Sequence, residues 1–391
     1  MKIKLDKFFY GSILLQIIAT QGVLTFIIFK FLGNWELKKI VHPLSFIFIV
    51  TIFILKATKK IKITLLDVLL FGYLCLQIVF LIYNIESLKS FYIAFREFYF
   101  IFILIFIFSQ IVLRQYQLNK LLNVIFYLVI INSVFIALTY VLGSEDYMKM
   151  LTGRYVWGID PDYKFKITTF YKFWRSPALI GNAASVGYFG LFAYLLMDTQ
   201  EEFKKKKYFT LILVLFSFVR SVFLVLLVYE FLIFFTLKKN LKKLFIIFKI
   251  GIPILICMLL YLNKYGVFST ASLYDRYYLW STQVNVDYNI FYGGAIGNVG
   301  GGVRGDGFVE TLDSYWLFMF LSSGLIGVLL STLFIYEKSN KNKKFLFILI
   351  AFLLAGFLVN LTQSIVFLVL FPMLFLKIKE DKPELNKHDE K

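Results

Sequence analysis

Apolar segments close to 20 residues long recur along almost the whole of this chain. Twenty helical residues at about 1.5 Å each span a hydrocarbon core about 30 Å thick. Inside lipid every backbone polar group needs an internal partner, which leaves helices or a closed barrel. A barrel uses alternating strands of about 10 residues. Phe98–Phe108 (FYFIFILIFIF) does not alternate, so a barrel is rejected. Composition agrees: 60% of the 391 residues are hydrophobic and the mean hydropathy is +0.77, whereas a soluble domain is nearer half apolar.

The expected fold class is therefore all-α, a polytopic membrane protein of about 12 transmembrane helices. The spans are placed at 8–32, 43–57, 64–83, 91–113, 118–142, 177–198, 208–219, 221–237, 244–263, 313–336, 345–359 and 361–376. Residues 1–376 form one transmembrane domain, and 377–391 a charged cytoplasmic tail. The first apolar run lacks an A-x-A-like cleavage site after it, so it reads as a span rather than a removed signal peptide.

The connecting loops alternate in charge. The N-terminus, 56–62, 114–120, 199–207, 238–243, 337–344 and the tail carry 26 Lys and Arg in 59 residues. The loops 33–42, 84–90, 143–176 and 264–312 carry 12 in 100. That asymmetry puts the first set, and both termini, in the cytoplasm. The net charge of +18 is scattered over separate short loops that suit an anionic lipid surface, so no nucleic-acid partner is expected.

Tyr208–Leu237 strains this count. It is 30 residues long with Arg220 near its middle, and both flanks are basic. The parity requires a membrane hairpin over 208–237 that turns near Arg220. The two long loops, about 143–176 and 264–312, then fall outside the cell. Long loops in a compact protein are often functional, so the active surface is sought there.

Arg96, Arg175, Arg220 and Arg276 lie in the spans or on this outer side. Charges at membrane depth are expensive and mark function. Ordinary roles are also open to them: an ion pair for Arg96, snorkelling for Arg175, helix-end anchoring for Arg220, pairing with Asp275 for Arg276. A guanidinium stays charged in any setting and grips phosphate oxygens in a fork. Several converging would suit the diphosphate of an anionic lipid. Asp313 and Glu310 are acidic candidates where the second loop enters a span, with helix capping as the alternative for Asp313. No His/Cys/Asp cluster has metal-ligand spacing, so no metal and no cofactor are expected. The stretch GGAIGNVGGGVRGDG (293–307) lacks the G-K-[ST] of a phosphate loop and reads as a flexible segment. Cys75 and Cys257 lie in apolar runs and read as small core residues.

An ordered set of segments resembles a known family. It comprises FREFYF, RSPALIGNAASVGYF, SFVRSVFLVLL, YDRYYLW, GGAIGNVGGG and LDSYWLFMFLSSGLIGVLL, over about residues 90–336. The set resembles the O-antigen polymerase/ligase superfamily, specifically its Wzy-type capsular and exopolysaccharide polymerases. The resemblance implies a GT-C-type membrane glycosyltransferase fold. It implies joining of undecaprenyl-diphosphate-linked oligosaccharide units on the outer membrane face, without metal or nucleotide, alongside a flippase and a chain-length regulator. The family's ligases place a histidine just before the late span. Asp313 stands there in this chain, which favours a polymerase. On this reading Arg220, Arg276 and Arg175 hold the diphosphate and Arg96 braces or joins them. Asp313 or Glu310 orients or deprotonates the acceptor hydroxyl. Tyr277, Tyr278, Trp280 and Trp157 stack on sugar faces, with interfacial belting as their other role. The alternatives are a ligase-type glycan transferase, a lipid-linked oligosaccharide flippase or transporter, and a structural subunit.

Overall fold

The computed structural model describes residues 5–20, 61–85, 87–152, 173–237, 286–300, 314–339, 343–357 and 359–379. It also describes isolated residues at 26–27, 46–56, 167–170 and 274–281, and Leu312. These residues are mostly helical. In chain order come α1 (Leu5–Thr20), α2 (Leu65–Asn84), α3 (Leu88–Gln110), β1 (Val112–Arg114), α4 (Gln115–Leu142) and α5 (Ser144–Thr152). After them come β2 (Thr169–Phe170), β3 (Phe173–Trp174), α6 (Ala183–Asp198), α7 (Leu211–Ser217) and α8 (Arg220–Leu237). The chain closes with α9 (Tyr315–Lys338), α10 (Lys343–Gly356), α11 (Ile365–Met373) and β4 (Lys377–Lys379).

Among the described residues, α2, α3, α4 and α9 are long and apolar enough to cross a membrane, and Tyr10–Thr20, α6 and Lys344–Gly356 are apolar but shorter. The chain is a helical membrane protein. Several expected spans are trimmed. Residues 208–219 form a 3₁₀ turn and only seven residues of α-helix, and 361–376 is regular only over Ile365–Met373. The span expected at 244–263 lies outside the described residues.

Contacts give the helices two common ends. Asp67, in the first turn of α2, pairs with Lys338 in the last turn of α9 at 2.6 Å. Gln110 of α3 donates to Lys62 C=O at 3.1 Å. Gln115 of α4 donates to Gln200 at 2.7 Å, beyond the end of α6. Lys344 of α10 reaches Asp198, and β1 pairs in parallel with β4. All these joins involve the lysine-rich connections, so this is called the basic end. At the other end Tyr140 donates to Trp174 C=O at 2.7 Å, Ser314 caps α9, and Trp316 donates to Leu353 C=O at 2.7 Å.

The chain turns back within 208–237. Gly190 of α6 packs on Leu213 and Gly187 packs on Ser217, so α7 runs antiparallel to α6. Tyr188 meets Ser221 at 3.2 Å and Tyr229 meets Asp198 at 2.8 Å, so α8 runs parallel to α6. The reversal is made by Phe218, whose φ of 49° is left-handed. A residue with a β-carbon pays for that conformation.

A second feature breaks a membrane-length helix. Gly324 inside α9 has φ 61° and ψ −170°. Such a break leaves backbone groups without helical partners, which is costly in an apolar setting. Residues 290–295 supply them. Gly294 and Ala295 N–H donate to Ser322 and Leu321 C=O, both at 3.1 Å. Leu325 and Ile326 N–H donate to Ile290 and Phe291 C=O at 2.9 and 3.1 Å. Tyr73 and Gln77 of α2 both donate to Tyr292 C=O, and Asn84 donates to Gly294 and Ile296 C=O at 2.8 Å each. The first half of the glycine-rich stretch is thus a strap clamped between α2 and α9, where a flexible segment was expected. A β-carbon on Gly293 would collide with the Ser322–Ser323 backbone. Cys75 also departs from its expected core place: it is exposed on the outward face of α2. Cys257 lies outside the described residues.

Candidate functional site: an arginine pair at a strained turn

The segment RSPALIGN enters α6 through a turn that α4 holds from below. Ser176 Oγ meets Thr139 Oγ1 at 2.8 Å, and Asn132 Oδ1 accepts from Leu179 N–H at 3.2 Å. Asn132 is fully buried and its amide donates to Leu128 C=O at 2.9 Å. Ala178 in this turn has φ 42°. Asn182 then caps α6, accepting from Ala184 N–H at 2.8 Å.

This turn delivers Arg175 to the reversal at Phe218. Arg175 donates from Nη2 to Phe218 C=O at 3.0 Å. No acceptor among the described residues meets its enclosed Nε. Burial, and then the neighbouring Arg220 guanidinium, hold Arg175 below the ordinary arginine value. Arg220 is the exposed first residue of α8. Arg175, half-buried, thus lies within electrostatic reach of the exposed Arg220. Phe173 is 53% exposed and stacks on Phe218 with ring centroids 5.8 Å apart. The pair thus has an exposed aromatic neighbour.

Ala178 and Phe218 are the two non-glycine residues with positive φ among those described. Each costs about 1–2 kcal/mol relative to right-handed backbone. One lies three residues after Arg175 and the other two before Arg220. Backbone strain held against its cost clusters at ligand-binding sites.

The same end gathers helix starts. Ser185 on α6 and Ser364 capping α11 are 3.2 Å apart. Ser314 caps α9, and Gln363 donates to Leu312 C=O at 3.3 Å. The α8 start joins them through Tyr188 and Ser221. Each N-terminus presents about half a positive charge, so the field here favours an anion. Beside them lies buried Glu97 of α3, which accepts from Asn360 at 3.1 Å.

The other expected site residues fare differently. Arg96 sits on α3 with its Nε enclosed, and no described hydrogen bond or ion pair joins it to Arg175 or Arg220. Tyr277 and Tyr278 are exposed, and Trp280 is partly buried against the core. No ring contact among the described residues links these three to the arginine pair. Arg276, Asp313, Glu310 and Trp157 lie outside the described residues. No group of three His, Cys, Asp or Glu able to hold a metal occurs among the described residues.

Sequence reasoning passed over Asn132, Gln77 and Asp198. The signal was available for the first two, as amides set inside apolar runs.

This geometry is that of a helical membrane protein with two arginines, Arg175 and Arg220, near a strained turn at one end of its described bundle. Comparison of the chain with family models, with curated proteins and with solved structures finds no match.

Proposed function

We propose that this protein polymerises undecaprenyl-diphosphate-linked oligosaccharide units into capsular, exopolysaccharide or O-antigen chains on the outer face of the plasma membrane. The observation that carries this reading is the Arg175–Arg220 pair at a strained turn. Paired guanidinium groups suit a diphosphate, because each offers a fork to phosphate oxygens. The exposed Phe173 beside them suits an apolar carrier or a sugar face.

In the proposed reaction the bond from the sugar anomeric carbon to the diphosphate oxygen breaks. The lipid diphosphate leaves with the bonding electrons, and the hydroxyl of the next unit forms the new glycosidic bond. Its proton passes to Asp313 or Glu310. Diphosphate is a good leaving group, so the protein's task is positioning and stabilising charge. Arg175 and Arg220 do this, with Arg276 and Arg96 as further members. Twelve crossings, cytoplasmic termini, a GT-C-type architecture, stacking of Tyr277, Tyr278, Trp280 and Trp157 on sugars, and a flippase and chain-length regulator as partners belong to the same proposal.

The test is polymerisation by purified protein in liposomes with lipid-linked repeat units. Arg175→Ala and Arg220→Ala, expressed and folded, should leave single units unjoined. Normal polymer from both variants would overturn the reading.

One observation favours a second reading, a lipid-linked oligosaccharide flippase or other transporter. Transporters build their sites around discontinuous helices, and α9 is broken at Gly324 and held there by a strap. Movement of fluorescent lipid-linked units across the same liposomes, without ladder formation, would favour it.

A further inference from the structure

The basic end contains a cavity of about 260 Å³. Thr199, Gln200, Ser339 and Lys344 line it together with apolar residues that include Leu118, Phe345, Ile348 and Met373. It lies where α4, α6, α9, α10 and α11 end or begin.

The charges around it are arranged asymmetrically. Asp198 is buried and accepts from Lys207 through Oδ1 and from Tyr229 through Oδ2, the latter at 2.8 Å. Lys344 approaches the same carboxylate and its backbone oxygen at 3.2 Å each. Asp198, with Glu230 3.9 Å from Lys207, thus faces two ammonium groups, and the outer one, Lys344, has a side chain 33% exposed and lines the cavity. Beyond it, exposed Lys377 and Lys379 flank Ile378, which also lines the cavity.

We infer that this cavity binds one acidic phospholipid from the leaflet at the basic end. The phosphate meets Lys344, Gln200 and Thr199, and an acyl chain lies along the apolar lining. Charge complementarity chooses an anion, and the apolar lining chooses an amphiphile over a free ion. Basic recesses between membrane helices on the cytoplasmic side take acidic head groups for this reason. The inference does not depend on the reading of the opposite end.

The test uses the full chain in nanodiscs of phosphatidylcholine, titrated with phosphatidylglycerol, with retained lipid counted by native mass spectrometry. One phosphatidylglycerol should be retained per chain. Lys344→Gln should weaken retention about fivefold, the loss expected for one lysine near a head group, and Lys344→Arg should restore it. Gln200→Leu, which leaves every charge in place, should weaken it too and covers the case of a Lys344→Gln protein that does not fold. Lys204→Gln, an exposed lysine paired with Glu201, should change nothing. Equal retention of both lipids by the wild type, unaltered retention in Lys344→Gln or Gln200→Leu, or binding of inorganic phosphate alone as tight as the lipid would each overturn the inference.

Discussion

The two ends of the bundle treat buried cations in opposite ways. At the basic end Lys207 and Lys344 converge on Asp198, and Lys338 on Asp67. At the other end Arg175 is half-buried beside Arg220 and bonded to a main-chain carbonyl. An enclosed cation with a carboxylate is an internal joint. Arg175 instead bonds a main-chain oxygen at a strained turn, in the field of a second arginine. The difference marks the basic end as one that ties the helices together, and the arginine end as the one proposed to meet a ligand.

The sharpest way to break this contrast is Asp198→Asn. Removing one member of a buried pair leaves an uncompensated charge, at a cost of about 3–5 kcal/mol. Lys207 would keep only the more distant Glu230, at 3.9 Å, so part of that cost should appear and the thermal unfolding temperature in detergent should fall. Arg175→Ala and Arg220→Ala should do the reverse. Their stability should hold, while polymerisation drops about a hundredfold or more in the liposome assay, as loss of a positioned charge at the reacting group does. Equal stability losses at both ends would erase the distinction.

Gly324→Ala comes next, at about 3 kcal/mol from positive φ and overpacking. The new β-carbon would overlap Phe291 C=O, and hydrogen exchange at Gly294 and Ala295 should quicken as the strap loosens.

Arg175→Lys sharpens the contrast through pH. Burial and Arg220 lower the arginine's value, and the same causes act on a lysine that starts near 10.4. The lysine protein should work while its amine is protonated and lose activity as pH rises through the lowered value. The wild type should show no such limb, which a pH profile of both will reveal. The smallest effect is Ala178→Gly. Relief of left-handed strain outweighs glycine's entropy by about 0.5 kcal/mol, visible as a slight rise in melting temperature.

Much of this frame was legible in the chain. Hydrophobic length located α2, α3, α4 and α9, and the lysine-rich connections came together at one end of the described bundle. The break at Gly324 was not legible. Nothing local distinguishes it from a helical glycine, because its cause is a strap some 30 residues away in sequence that completes its hydrogen bonds. The capping of α2 by Thr64 and Asp67 was local chemistry, but the Lys338 partner of Asp67 was not.

For the site, residue type carried the first half of the argument. Guanidinium chemistry singled out Arg96, Arg175, Arg220 and Arg276 together. Packing then placed Arg175 at the Phe218 turn, while Arg96 sits on α3 with its Nε enclosed. By itself the sequence determined helices of membrane length and the charge of their connections, because both follow from the cost of polar groups in lipid. Only the tertiary structure decided that Arg175 bonds the turn just before Arg220 and that α9 breaks. Each depends on hydrogen bonds between segments far apart in the chain, which hydropathy and local propensity do not encode.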